Sequence, residues 1–132
     1  MKIFISNKFR GISKKSLRKN LELIGNVLHE DGHKTFNLFR DADNWQSKEM
    51  PPGEAIRMAF NEIKKCDAIL CFINHKEPSE GLLLEFGFAK ALKKRIILLI
   101  GKKYSSSCLE MLSDKVLKFD SLGEIAKKLK NI

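Results

Sequence analysis

The chain has 132 residues, 43% of them hydrophobic and 31% charged, and carries a net charge of +9. That size suits one domain with a core of its own, and no apolar run approaches the roughly 20 residues that span a bilayer. Lys2 to Ser6 reads as a strand, without the charged, apolar and small-residue succession of a signal peptide, so a cytoplasmic protein is expected.

Lys2 to Ser6 is the first strand. Leu17, Leu21, Ile24 and Leu28 recur at helical spacing, and Asp31-Gly32 closes that helix. His33 to Phe39 offers a second strand. Residues 40 to 53 are polar, hold Trp45 and Pro51-Pro52-Gly53, and predict a long loop. Ile56, Ala59, Phe60 and Ile63 mark the buried stripe of the next helix. Asp67 to Ile73 is a continuous apolar run of the kind found at the centre of a parallel sheet. A helix then starts after Pro78-Ser79 and runs to about Lys94. Ile96 to Ile100 forms another central strand, Val116 to Phe119 a last one, and Ser121 to Leu129 a closing helix with Leu122, Ile125 and Leu129 inward.

This alternation predicts one α/β domain over residues 1–132. Five parallel strands in the flavodoxin or Rossmann-like order 2-1-3-4-5 would carry helices on both faces. In that order the connections of strands one and three leave to opposite faces and open a crevice at the carboxyl ends of the strands, where ligands bind. Its walls are the loops Ser6 to Ile12 and Asn74 to Gly81.

The charged residues are unevenly spread, with 11 basic and 4 acidic from Lys90 onward against 14 and 12 before it. Lys93-Lys94-Arg95 and Lys127-Lys128-Lys130 fall where helix ends and exposed faces are expected. Lysines there complement the helix dipole without a partner, so the reading is a solvated face and no nucleic-acid or membrane partner is expected. Cys66, Cys71 and Cys108 are odd in number and read as small buried hydrophobes. They and the scattered His29, His33 and His75 give no metal site, although His75 lies in a loop of the crevice; no cofactor is expected.

One carboxylate stands out. Glu85 sits in a helix that is apolar nearly all round, and an acid is rarely desolvated without a partner, ligand or task. Gly87 and Ala89 allow close approach to that helix, whose excess apolar surface predicts a homodimer or higher homo-oligomer. In the first loop, Arg10 can grip a phosphate or carboxylate with two hydrogen bonds, beside Asn7 and the permissive Gly11. In the second, Ser79 precedes a helix start. It is either a capping serine or a phosphate ligand while capping.

The pattern Pro78-Ser79-x-Gly81-x-x-x-Glu85-x-Gly87-x-Ala89, after a strand beginning at Asp67, resembles the signature of the nucleoside 2-deoxyribosyltransferase superfamily. It is most similar to the branch that hydrolyses 2'-deoxynucleoside 5'-phosphates, and Ile3-Phe4-Ile5-Ser6 followed by Arg10-Gly11 is similar to that branch's phosphate loop. The resemblance covers roughly the first 100 residues. It implies that Glu85 attacks the anomeric carbon of a nucleoside or nucleoside 5'-monophosphate, expels the base and forms an ester that water or a second base resolves. Ser6, Arg10, Gly11, Ser79 and Gly81 would then hold the substrate, with a 5'-phosphate on Arg10, Gly11 and Ser79. Asn7 would contact the sugar, and Trp45 or Phe9 would stack on the base. Two departures accompany the likeness. Asn7 and Lys8 stand where the family's loop is richer in glycine, and Ala59 and Asn61 stand where a second acid is usual. Asp41 or Asp43 is left to protonate the departing base. The segment from Arg40 through Glu85 also looks like bacterial TIR domains that cleave NAD, and a non-catalytic nucleotide-binding or interaction module could use the same crevice.

Overall fold

The computed structural model describes residues 1–132, with strands β1 (Lys2–Asn7), β2 (Lys34–Phe36), β3 (Ala68–Ile73), β4 (Arg95–Gly101) and β5 (Lys115–Phe119). The helices are α1 (Lys14–Glu30), α2 (Pro52–Lys64), α3 (Glu80–Ala91), α4 (Ser107–Leu112) and α5 (Leu122–Leu129). All strand pairs are parallel and the sheet order is β2-β1-β3-β4-β5, as the alternation of elements predicts. No helix is long and apolar enough to cross a membrane.

Strand side chains alternate between faces, and two cores follow from that period. Ile3, Ile5, Ala68, Leu70, Phe72, Ile97 and Leu99 face α1 and α5, meeting Leu17, Leu21, Ile24, Leu28, Ile125 and Leu129. Phe4, Ile69, Cys71, Ile73, Ile96, Leu98 and Ile100 face α2, α3 and α4, meeting Ala59, Ile63, Leu82, Phe86, Ala89 and Leu109. The continuous apolar runs of β3 and β4 are thus needed on both sides. Cys66 and Cys71 are buried, as expected, but Cys108 is exposed on α4.

Three elements differ from the sequence reading. The second strand is only Lys34–Phe36, because Asn37 leaves the ladder and uses its side chain to cap a π-helical turn at Leu38–Ala42. That turn lies inside the expected long loop. The Glu85 helix stops at Ala91, closed by Lys93 in the left-handed region (φ 60°). Finally, α4 is an extra helix of 6 residues, too short to show an apolar period. The Glu85 helix is also less enclosed than its composition suggested: Leu83, Leu84 and Leu92 are exposed, while Phe88 stacks on Phe60 with ring centroids 4.1 Å apart. Gly87 has no atom near the position of a side chain, so packing does not demand a glycine there.

Candidate active site

The sheet order puts β1 beside β3, while α1 departs to one face and α3 covers the other. Ser6 follows Phe4 by two residues and therefore points to the α3 face. It pairs in register with Cys71 of β3. From the far side of the chain, α3 begins at a Ser79 cap whose hydroxyl accepts the Leu82 N–H at 3.1 Å. Glu85 lies one and a half turns further and points down onto Ser6.

The Ser6 hydroxyl donates to Glu85 Oε1 at 2.5 Å, and both side chains are buried. Burial pushes the Glu85 carboxyl up to about 7, against the opposing effect of the Ser6 hydrogen bond. The same desolvation, with Glu85 above it, pushes the Cys71 thiol up. Near neutral pH the acid is therefore poised between its two forms with one fixed donor.

A cavity of about 580 Å³ opens above this pair, lined by residues of β1, its following loop, residues 38–56 and the start of α3. Ser6, Asn7, Phe9, Arg10, Asp43, Ser79, Gly81 and Glu85 all line it. Ser79 both caps α3 and faces the cavity. Arg10 is exposed and forms no ion pair, so its guanidinium is available to an anion. Lys8, which stands where a glycine was expected, ties the two loops together through Nζ to the Glu77 carbonyl at 3.3 Å. Lys14 grips the same loop through the Phe9 and Ile12 carbonyls.

Three expected residues stand outside the lining. Asp41 is held by Arg40, which donates to it from Nε at 3.0 Å and Nη2 at 2.8 Å, and by the Asn37 N–H at 2.8 Å. It stabilises the turn, and of the two aspartates only Asp43 is in the lining, which also holds the exposed Glu49 and Glu80. Trp45 packs edge-on against the outer side of Phe39, 4.9 Å away, with Arg18 over its ring at 5.0 Å. Gly11 takes a left-handed φ of 74° that lets the loop turn, but does not reach the cavity. His75, held below its ordinary value by burial and then by Lys8, is also not in the lining.

Asp43 is anchored by an unusual segment. Asn44, Trp45 and Ser47 all have positive φ (52°, 61° and 60°), a conformation costly for residues with side chains. Asp43 Oδ1 accepts the Lys48 N–H at 3.2 Å, closing that turn. Its Oδ2 is shut off from solvent and has no hydrogen-bond partner, the single side-chain atom in this condition.

Two functional side chains were invisible in the sequence. Asn37 is fully buried and donates from Nδ2 to the Ile5 carbonyl at 2.9 Å and to Asn7 Oδ1 at 2.7 Å, while its Oδ1 accepts the Arg40 N–H at 3.3 Å. One amide thus fixes Asn7 and the turn leading to Asp43. Phe39 forms the aromatic wall with Phe9, in an edge contact at 5.2 Å. Both lie in the stretch His33 to Phe39 that reads as plain strand, and the asparagine amid apolar residues was the available signal. Lys48, Glu49, Met50 and Ile56 complete the rim. No cluster of metal-ligating side chains is present.

Comparison with solved structures gives a CMP N-glycosidase from Clostridium botulinum at 25% identity and TM-score 0.71, covering 98% of each chain. A conserved protein from Enterococcus faecalis V583 superposes at TM-score 0.74 and 14% identity, over 98% of this chain and 97% of the other. A 2-deoxyribosyltransferase from Bacillus psychrosaccharolyticus does so at TM-score 0.65 and 17% identity, over 96% and 90%. At those two lower identities the likeness speaks for the fold. The sequence matches no curated protein. The family model of nucleoside 2-deoxyribosyltransferase matches residues 9–120, from the loop after β1 through β5 and including Glu85, so the chain belongs to the nucleoside 2-deoxyribosyltransferase family.

Proposed function

We propose that the protein cleaves or transfers the N-glycosidic bond of a nucleoside or nucleoside 5'-monophosphate, with Glu85 as nucleophile. The observation that carries this is a lone buried carboxyl, pushed up to about 7 and fixed by Ser6, at the floor of a cavity large enough for a nucleotide. In its ionised form Glu85 attacks the anomeric carbon while the carbon–nitrogen bond breaks and its electron pair leaves with the base. A proton must reach that nitrogen, and we assign its delivery to Asp43. Water then attacks the anomeric carbon, returns its proton to Asp43 and frees Glu85; transfer replaces this water with a second base.

For binding, Arg10 and Ser79, with the amides that open α3 around Gly81, suit a 5'-phosphate. Asn7, held by Asn37, suits a sugar hydroxyl, and the Phe9 and Phe39 wall suits the base. Trp45 takes no part in this assignment, being behind Phe39. We also infer self-association, because Leu83, Leu84, Leu92, Met111 and Leu112 leave an apolar surface on α3 and α4 uncovered. Light scattering after size exclusion checks it, and a monomer at high concentration contradicts it.

The deciding experiment incubates the protein with nucleosides, their 5'-monophosphates and NAD, and measures free base by chromatography beside Glu85→Gln. Release from a nucleoside or monophosphate that vanishes in the variant is expected. Undiminished release in Glu85→Gln removes the assigned nucleophile, release from NAD alone moves the chemistry to the TIR-like class, and saturable binding without release leaves a binding module.

A further inference from the structure

The amino ends of the strands carry a second cavity that the chemistry at Glu85 does not use. It is an open depression of about 490 Å³ lined by Lys90, Lys93, Lys94, Arg95 and Asp114, with no apolar residue. Topology explains the convergence. Helix α3 ends here and β4 begins after three intervening residues, so four cations arrive within one tight reversal, and the turn into β5 brings Asp114 opposite them.

Three features separate this pocket from an ordinary solvated lysine face. First, none of the four cations belongs to any of the chain's seven ion pairs. Asp114 forms no ion pair with them either; its Oδ2 accepts the Ile96 N–H at 2.8 Å, and its one negative charge leaves a positive surplus in the lining. Secondly, two ammonium groups are held in place, Lys90 by the Leu112 carbonyl and Lys94 by the Lys64 carbonyl, each at 3.1 Å. An ammonium has three donors, so both retain donors for a ligand while losing less freedom on binding. Thirdly, α3 closes with the Lys93 N–H on the Lys90 carbonyl and the Lys94 N–H on the Ala89 carbonyl, each at 3.0 Å. Lys93 itself has φ 60° and occupies the position where glycine is the unstrained choice. A lysine stands there instead.

We propose that this pocket binds a compact polyphosphate anion, either inorganic di- or triphosphate or the phosphate tail of a nucleotide whose base stays outside. Four unpaired cations match the several charges of such a group, and their donors match its oxygens. The walls lack the apolar and aromatic surface that would hold a ring. The pocket is at the opposite end of the sheet from Glu85, so its occupancy does not depend on the N-glycosidic reading.

The test is calorimetric titration of the full-length protein with orthophosphate, pyrophosphate, tripolyphosphate and ATP, at low salt and at about 0.15 M salt. Saturable binding that strengthens from one phosphate to three is expected, with ATP close to tripolyphosphate if the tail alone is held. Lys93→Glu with Arg95→Glu should weaken tripolyphosphate about tenfold or more, whereas the same charge change at Lys127 and Lys128 on α5 should not. Lys93→Gly gives an independent reading, because it relieves the backbone: melting temperature should rise while affinity falls. Equal affinity in the Lys93 and Arg95 variants, or equal loss in the Lys127 and Lys128 control, overturns the site. Tight binding of duplex DNA with no saturable tripolyphosphate binding overturns the ligand class in favour of a nucleic-acid footprint.

Discussion

The floor and the rim of the cavity are built in opposite ways. The floor, Ser6 on β1 and Glu85 on α3, is positioned by regular elements whose periods alone decide where each side chain points. The rim, from Asn37 to Met50, has little regular structure and is held by side-chain hydrogen bonds and by left-handed residues. The difference divides the labour. The floor supplies one fixed, buried carboxyl, and the rim surrounds it with groups whose placement depends on a few bonds that single substitutions can remove.

The largest expected effect tests the floor. Glu85→Gln should lower base release by about 10³-fold or more in single-turnover measurements, because the covalent route is lost. The same substitution should raise stability at alkaline pH. A carboxyl lifted from its ordinary 4.5 to about 7 on folding favours the folded state fully below pH 4.5. That contribution is lost as pH rises through 7, and amounts to about 3 kcal/mol. Denaturant unfolding at pH 5 and pH 8 should show this loss in the native protein and not in the variant, and identical pH dependence in both would contradict the buried-acid account.

Next comes the rim. Asp43→Asn should slow base release about 10²-fold or more if Asp43 protonates the leaving base, with activated leaving groups much less affected; equal slowing of good and poor leaving groups argues against an acid role. Asn37→Ala should cost about 1–3 kcal/mol in urea unfolding, since it strands the Ile5 carbonyl and frees the turn. It should also raise KM more than Glu85→Gln does, as Asn7 loses its partner. The mildest change is Ser6→Ala. Its hydroxyl holds the Glu85 carboxyl down, so removing it should move the acid limb of the pH–rate profile to higher pH. An unmoved limb would mean that Glu85 does not govern it.

The same division explains what could be read from the sequence. Parallel order, the two-sided apolar strands and the isolation of Glu85 follow from spacing alone, so the fold and the buried acid were legible, whereas the Ser6 bond to that acid was not. Asn37 was not, because its neighbours look like strand and only its bonds to Ile5 and Asn7 reveal a cap. Trp45 and Phe39 show the matching ambiguity: an aromatic in a polar loop signals a ring-binding wall or a packing anchor equally, and of this touching pair it is Phe39 that lines the cavity. Asp41 and Asp43 differ by two residues and no pattern separates them; an adjacent arginine occupies one and a strained turn aims the other. The basic run at Lys93 reads as a solvated face until the chain reversal shows it wrapped around a hollow.

The Ser6 to Glu85 bond spans 79 residues of chain and crosses the central β1–β3 pairing. Such long-range closure is slow to form and is paid for in chain entropy before it is rewarded. While the chain is being made, Ser6 waits through most of synthesis for its partner to emerge. Until β3 docks and α3 folds over it, Glu85 is an ordinary hydrated glutamate with an ordinary affinity for protons. Nascent and partly folded copies therefore carry the residue without its raised proton affinity, and the poised acid exists only in a finished molecule.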